Sequence, residues 1–174
     1  MSLPESRSGG CWWRRPPGNR TGLLRPLDTL AATAALGAEL AAWLAPGRAL
    51  LLAGPLGAGK TTLARAVLRA LSDDPALDVP SPSYTLVQSY DTARGPVHHL
   101  DLWRIEGPGG LAELGFEELL ADMLIIEWPD RLGPLVPPAA LTVTLTPTGP
   151  ESRAARITAA PTAAPTAAPG APFA

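Results

Sequence analysis

The chain has 174 residues, a formal charge of −2 and a pI near 5.6, a length that suits one domain. That near-neutral balance gives no global drive toward nucleic acid or a membrane surface, and no apolar run approaches the roughly 20 residues of a membrane span. Cys11 is the single cysteine, so no internal disulfide or C-x-x-C metal cluster is available, and a reducing cytoplasm is the expected setting.

Residues 1–25 read as a disordered basic extension, because Pro, Gly, Ser and Arg prevail without periodicity. Arg7, Arg14, Arg15, Arg20 and Arg25 face one acid, Glu5. Scattered charges of this kind give only weak, salt-sensitive affinity for RNA, so a solvated arm is the better reading. The arm lacks the apolar core of a secretory signal. Cys11 reads as an exposed thiol, and Trp12-Trp13 has no assignment.

Asp28 is placed to cap a helix running to about Ala45, with Leu36, Leu40, Trp43 and Leu44 on one packing face. Pro46-Gly47 ends it. Ala49–Ala53 is a short apolar run suited to a buried parallel strand. Beyond it, Leu63, Val67 and Leu71 recur at helical spacing, which predicts a helix from near Lys60 to the Ser72-Asp73-Asp74-Pro75 stop. Residues 79–84 form a loop stiffened by Pro80 and Pro82. Thr85–Tyr90 and Val97–Trp103 then read as a hairpin around the turn residues 91–95. Leu111–Leu120 is helical, with a break at Gly115. Met123–Trp128 is an apolar strand carrying an acid near its end, and Pro129 closes it. Leu141–Thr146 and Arg153–Thr158 are the closing strands. Beyond them, residues 159–174 repeat Ala, Pro and Thr and cannot bury a core, so that tail is expected to be disordered. The folded domain is therefore expected over residues 26–158.

Between the first strand and its helix, Gly54, Gly59, Lys60 and Thr61 satisfy the phosphate-loop pattern G-x-x-x-x-G-K-[ST]. Glycines at 57 and 59 allow a tight backbone path in which successive N–H groups form an anion nest at a helix N-terminus. The expected nucleotide contacts are Pro55, Leu56, Gly57, Ala58, Gly59, Lys60, Thr61 and Thr62. Lys60 reaches the β- and γ-phosphates and the Thr61 hydroxyl binds Mg²⁺. Lys60 is the only lysine among 14 Lys+Arg, in the one position where a compact ammonium must fit inside the loop and a planar guanidinium would not.

Such a site needs a second acid at the C-terminal end of a neighbouring strand to hold Mg²⁺. Glu127 ends the most apolar later strand and is the first candidate. Asp101, after Val97–Leu100, is the second, for metal or water positioning. On spacing alone, Ser83, Tyr84 and Thr85 are a surface turn, His98-His99 a strand-edge pair, and Trp103 and Trp128 core or rim aromatics.

Taken together, the motifs resemble one family. Gly54–Thr62 reads G-x-L-G-A-G-K-T-T, and Ser81–Val87 reads S-P-[ST]-Y-T-L-V. His99–Arg104 gives H-x-D-L-[aromatic]-R, Leu114–Glu118 gives L-G-[LF]-E-E, and Ile126–Pro129 gives I-E-W-P. In this order they are similar to the bacterial TsaE family, also called YjeE, over roughly residues 27–146. The resemblance implies a three-layer phosphate-loop α/β fold with a mixed, mostly parallel sheet and an inserted antiparallel hairpin. It implies a cytoplasmic, Mg²⁺-dependent ATPase, weak alone, that supports threonylcarbamoyladenosine synthesis beside the tRNA anticodon. Its partner would be the TsaB–TsaD heterodimer, with tRNA engaged only through that complex. Lys60, Asp101 and Glu127 would be the catalytic groups, Thr61 and Glu127 the metal ligands, Ser83, Tyr84 and Thr85 a switch loop, and Trp128 a neighbour of the nucleotide. Trp103 stands where the family usually has Tyr.

Two other functions fit a phosphate loop: a small-molecule kinase, and a nucleotide-sensing module without meaningful hydrolysis. A kinase of this class usually carries an Arg-rich lid, and only Arg131 follows Glu127 before the closing strands. The absence of an N-K-x-D motif speaks against a conventional GTPase. A transition-state arginine could come in cis or from a partner; Arg104 and Arg131, each just past a strand-end acid, are the candidates in cis, and both could as easily face solvent.

Overall fold

A computed structural model describes residues 22–159. The expectations for residues 1–21, including Cys11 and Trp12-Trp13, and for the tail from 160 onward lie outside the described residues.

The chain runs β1 (Leu23–Leu27), α1 (Leu30–Trp43), β2 (Ala49–Ala53), α2 (Lys60–Leu71), β3 (Val87–Thr92), β4 (Gly95–Asp101) and α3 (Pro108–Glu113). It continues through α4 (Phe116–Leu119), β5 (Met123–Glu127), a 3-10 segment (Pro129–Leu135), β6 (Ala140–Pro147) and β7 (Arg153–Ala159). The strands form one sheet in the order β1-β7-β6-β2-β5-β4-β3. The central four, β6, β2, β5 and β4, run parallel; β3 on one flank and β7 on the other run against them, and β1, antiparallel to β7, again runs in their direction. This is the mixed phosphate-loop α/β sheet with its inserted β3–β4 hairpin.

Helices cover both faces, which is why the central strands are apolar on both sides. On β2, Leu50 and Leu52 join the core under α1 and α2, while Ala49 and Leu51 join the core under α3, α4 and the 3-10 segment. On β5, Met123 and Ile125 point to the first face and Leu124 and Ile126 to the second. Residue 127 therefore points to the α2 side by the strand's period of two.

Three expectations change in detail. The boundary after residue 25 cuts through β1, an edge strand whose Leu27 is buried and whose Pro26 is tolerated because an edge strand need not donate on both sides. A guanidinium–carboxylate fork from Arg25 to Glu39, at 3.1 and 2.8 Å, ties this strand to α1. Thr29, not Asp28, caps α1: its hydroxyl accepts from the Ala32 N–H at 3.1 Å. The helix expected over Leu111–Leu120 is two short helices, the first starting at Pro108 in residues whose Gly and Pro content suggests loop, and the break falls as expected at Gly115, which adopts φ 65°.

Candidate active site

At the C-terminal edge of the parallel strands, β2 turns into α2 through residues 54–59. Gly59 stands at the N-cap with φ 96°, and no side chain caps the helix. The first N–H groups of α2 are thus left for an external anion. Gly54, at φ 137°, is required for a second reason: a Cβ there would run into the Leu145 carbonyl of β6.

Lys60 is folded back into this loop. Its ammonium donates to the carbonyls of Gly54 and Pro55, both at 2.9 Å, and lies 3.6 Å above the Trp128 ring. Burial pushes its pKa below the ordinary lysine value, with the Glu127 and Asp101 carboxylates partly offsetting that. Trp128 holds φ 60°, a left-handed conformation uncommon for a large side chain, immediately after Glu127. Its indole packs on Trp103, ring centroids 4.4 Å apart, and Trp128 itself lines the site.

The two acids lie side by side because β4 and β5 pair in parallel with Asp101 opposite Glu127. Both are buried, at 4% and 2% exposure. Glu127 is gripped from both ends: Oε2 accepts from the Thr61 hydroxyl at 3.1 Å and Oε1 from His99 Nε2 at 2.9 Å. A carboxylate only accepts, so His99 Nε2 donates to it, while His99 Nδ1 is buried with no hydrogen-bond partner among the described residues. Asp101 Oδ2 accepts from Ser83 at 2.9 Å and Ser81 at 3.4 Å, while Oδ1 accepts the Trp103 N–H at 3.0 Å. The loop before β3 is therefore tied to the second acid.

These groups surround a cavity of about 300 Å³ lined by Leu56, Gly57, Gly59, Lys60, Thr61, Thr62, Ser81, Ser83, Asp101, Glu127, Trp128 and Arg153. Most of the residues singled out in the sequence meet there. Pro55 contributes its carbonyl to Lys60, and the Ala58 side chain is turned into the core. Tyr84 is 82% exposed outside the cavity, under the guanidinium of Arg104, and Thr85 is also exposed. Neither Arg104 nor Arg131, the two candidate cations in cis, lines the cavity.

Sequence reasoning missed two contributors. His99 and His98 are neither a pair nor at an edge, since β3 covers β4. His98 turns to Ser89 and Asp122, and His99 turns to Glu127. The signal was available: His99 lies two residues before Asp101 and so shares its face. In the sequence Arg153 reads only as the start of a strand, and nothing local announces that β7 returns to the loop.

The donor set suits Mg²⁺. A hydroxyl and a carboxylate oxygen meet at 3.1 Å, and among the described residues no group of three or more His, Cys, Asp or Glu forms a cage. Mg²⁺ is commonly held by one or two protein oxygens and completed by phosphates and water.

A family model described as threonylcarbamoyl adenosine biosynthesis protein TsaE matches residues 27–155. A Nostoc protein named tRNA threonylcarbamoyladenosine biosynthesis protein TsaE is 38% identical over 134 residues, covering 73% of this chain and 80% of that one. A Rickettsia felis protein of the same name is 36% identical over 107 residues, 61% of this chain and 62% of its own length. Against the former the chain spans four fifths of the relative, against the latter less than two thirds. The crystal structure of Bacillus subtilis YdiB superposes with a TM-score of 0.63 at 26% identity, covering 79% of this chain and 84% of that one. The family match and the Nostoc relative together establish that the chain belongs to the TsaE family of threonylcarbamoyl adenosine biosynthesis proteins.

Proposed function

We propose that this protein is a Mg²⁺-dependent ATPase that supports threonylcarbamoyladenosine modification of tRNA and acts on the TsaB–TsaD heterodimer. One observation carries the chemistry: Lys60, Thr61 and Glu127 converge in a cavity at an uncapped helix N-terminus. The names of the relatives support the process.

The triphosphate lies over the N–H groups of the loop and of α2. Lys60 exchanges two neutral carbonyl acceptors for phosphate oxygens, and charge-assisted hydrogen bonds are roughly twice as strong as neutral ones. Thr61 and Glu127 would hold Mg²⁺, which would supply charge neutralisation for phosphoryl transfer. His99 keeps the Glu127 carboxylate turned toward Thr61. Asp101 orients the attacking water while keeping Ser81 and Ser83 in register, and Trp128 flanks the nucleotide beside Lys60. The loop through Ser83, Tyr84 and Thr85 is the segment by which a partner senses the γ-phosphate.

The test is inorganic phosphate release and ADP affinity, for the wild type and Lys60→Ala, with and without TsaB–TsaD. Lys60→Ala is expected to abolish nucleotide-dependent activity while melting near the wild-type temperature. Wild-type ADP affinity in a folded Lys60→Ala protein would overturn the assignment.

A further inference from the structure

We propose that Arg153 is a nucleotide-binding residue whose guanidinium contacts the phosphates of a bound nucleotide from the side of the cavity opposite the two acids. The inference rests on the nucleotide-binding reading above.

Arg153 is the first residue of β7, two strands away from β2, yet its side chain lies against the phosphate loop. Its Nε donates to the Ala58 carbonyl at 3.1 Å and one terminal nitrogen donates to the Glu151 carbonyl at 2.8 Å. A Cβ at Gly59 would come within 3.0 Å of the same Nε, so the glycine leaves the guanidinium room to sit there. The side chain is half-buried and belongs to none of the ion pairs among the described residues. Two neutral carbonyls fix the group in place without neutralising it, and its other terminal nitrogen has no hydrogen-bond partner among the described residues. A fixed, uncompensated cation lining an anion nest calls for a negatively charged ligand.

The sheet order says which part of that ligand. Glu127 and Asp101 end β5 and β4 on one side of β2, and Arg153 begins β7 on the other. On the nucleotide-binding reading, metal and γ-phosphate would lie on the acid side. Arg153 therefore meets the phosphates nearer the nucleoside, which ADP and ATP share.

The bland alternative is a brace that pins the β6–β7 turn to the loop through Ala58. Arg153→Lys keeps the charge without the fork, and Arg153→Gln keeps an amide donor without the charge. ADP affinity is measured without Mg²⁺, so no metal links the acids to the phosphates, and melting temperature is followed in parallel. The expected result is a dissociation constant raised by roughly tenfold or more in Arg153→Gln, with much of the loss restored in Arg153→Lys. Wild-type affinity in Arg153→Gln overturns the proposal. So does equal weakening in both variants accompanied by a lowered melting temperature, which is the signature of a brace. Unchanged ADP affinity with a fall in hydrolysis alone overturns it too, in favour of a transition-state cation. A wild-type protein that binds no ADP would instead remove the nucleotide reading itself.

Discussion

Glu127 carries three relationships at once: a hydroxyl at one oxygen, an imidazole at the other, and a second carboxylate beside it on the next strand. A buried charge is tolerated only where it is hydrogen-bonded, and both oxygens of Glu127 are. Asp101 differs, because its hydrogen bonds run to a loop and a turn. The two acids should therefore separate on mutation. On its proposed role in holding the metal, Glu127→Ala is expected to lower turnover on the order of 10²-fold with a much smaller loss of ADP affinity, since such an acid acts mainly where charge develops. It also orphans the buried His99 donor, worth about 1–3 kcal/mol of stability. Asp101→Ala should release Ser81 and Ser83, and phosphate release with ATP titrations on both variants decides between them. Abolished turnover in Asp101→Ala with an intact Glu127→Ala enzyme would reverse the roles. The loop lysine, Thr61 and both acids were legible in the sequence because each sits at a fixed offset from a strand end. The His99 contact needed the strand register, and the Arg153 contact needed the tertiary return of an antiparallel strand.

Elements with a strong period were also legible: β2, α2 and β5 stand where apolar spacing put them. The edge strand β1 was not, because Arg25 and Pro26 interrupt any pattern and its partner, β7, comes more than a hundred residues later. Nor was the closeness of α1 to α2. At Gly37, a Cβ would lie 2.6 Å from the Ala66 Cβ and 2.9 Å from its backbone carbon. Two effects oppose each other in Gly37→Ala. Helix propensity favours alanine by about 1 kcal/mol. Overpacking a close contact costs about 1–3 kcal/mol, and here part of the obstacle is backbone, which yields less readily than a side chain. The clash should win, and urea denaturation is expected to show a net loss of about 1 kcal/mol. A stabilised Gly37→Ala protein would mean that the two helices part easily.

Across the whole molecule, the cavity opens between a rigid sheet edge and the loop that carries Ser81, Ser83 and Tyr84. Next to residues that line it stand side chains that the fold leaves in water: Leu56, itself a lining residue, at 81% exposure, Tyr84 after Ser83 at 82%, and Trp103, packed on Trp128, at 48%. Leu56 belongs to the phosphate loop and Tyr84 follows Ser83, which is bonded to Asp101. Whatever occupies the phosphate site is thus one or two residues from the exposed apolar groups. A partner gripping those groups would sense whether a γ-phosphate and Mg²⁺ have drawn Asp101 and Ser83 into a new arrangement. Reciprocity then fixes the sign: if triphosphate tightens TsaB–TsaD binding by some factor, TsaB–TsaD tightens triphosphate by the same factor. Titrating the heterodimer into this protein with no nucleotide, with ADP, and with a non-hydrolysable ATP analogue should give affinities that differ by roughly 5–150-fold between the tightest and weakest states. Tyr84→Ala should compress that spread while leaving ADP affinity of the isolated protein near wild type, because Tyr84 lies outside the cavity. Equal partner affinity in all three nucleotide states, with hydrolysis unmoved by the heterodimer, would rule out a switch and leave a phosphate-loop site with no coupling to its surface.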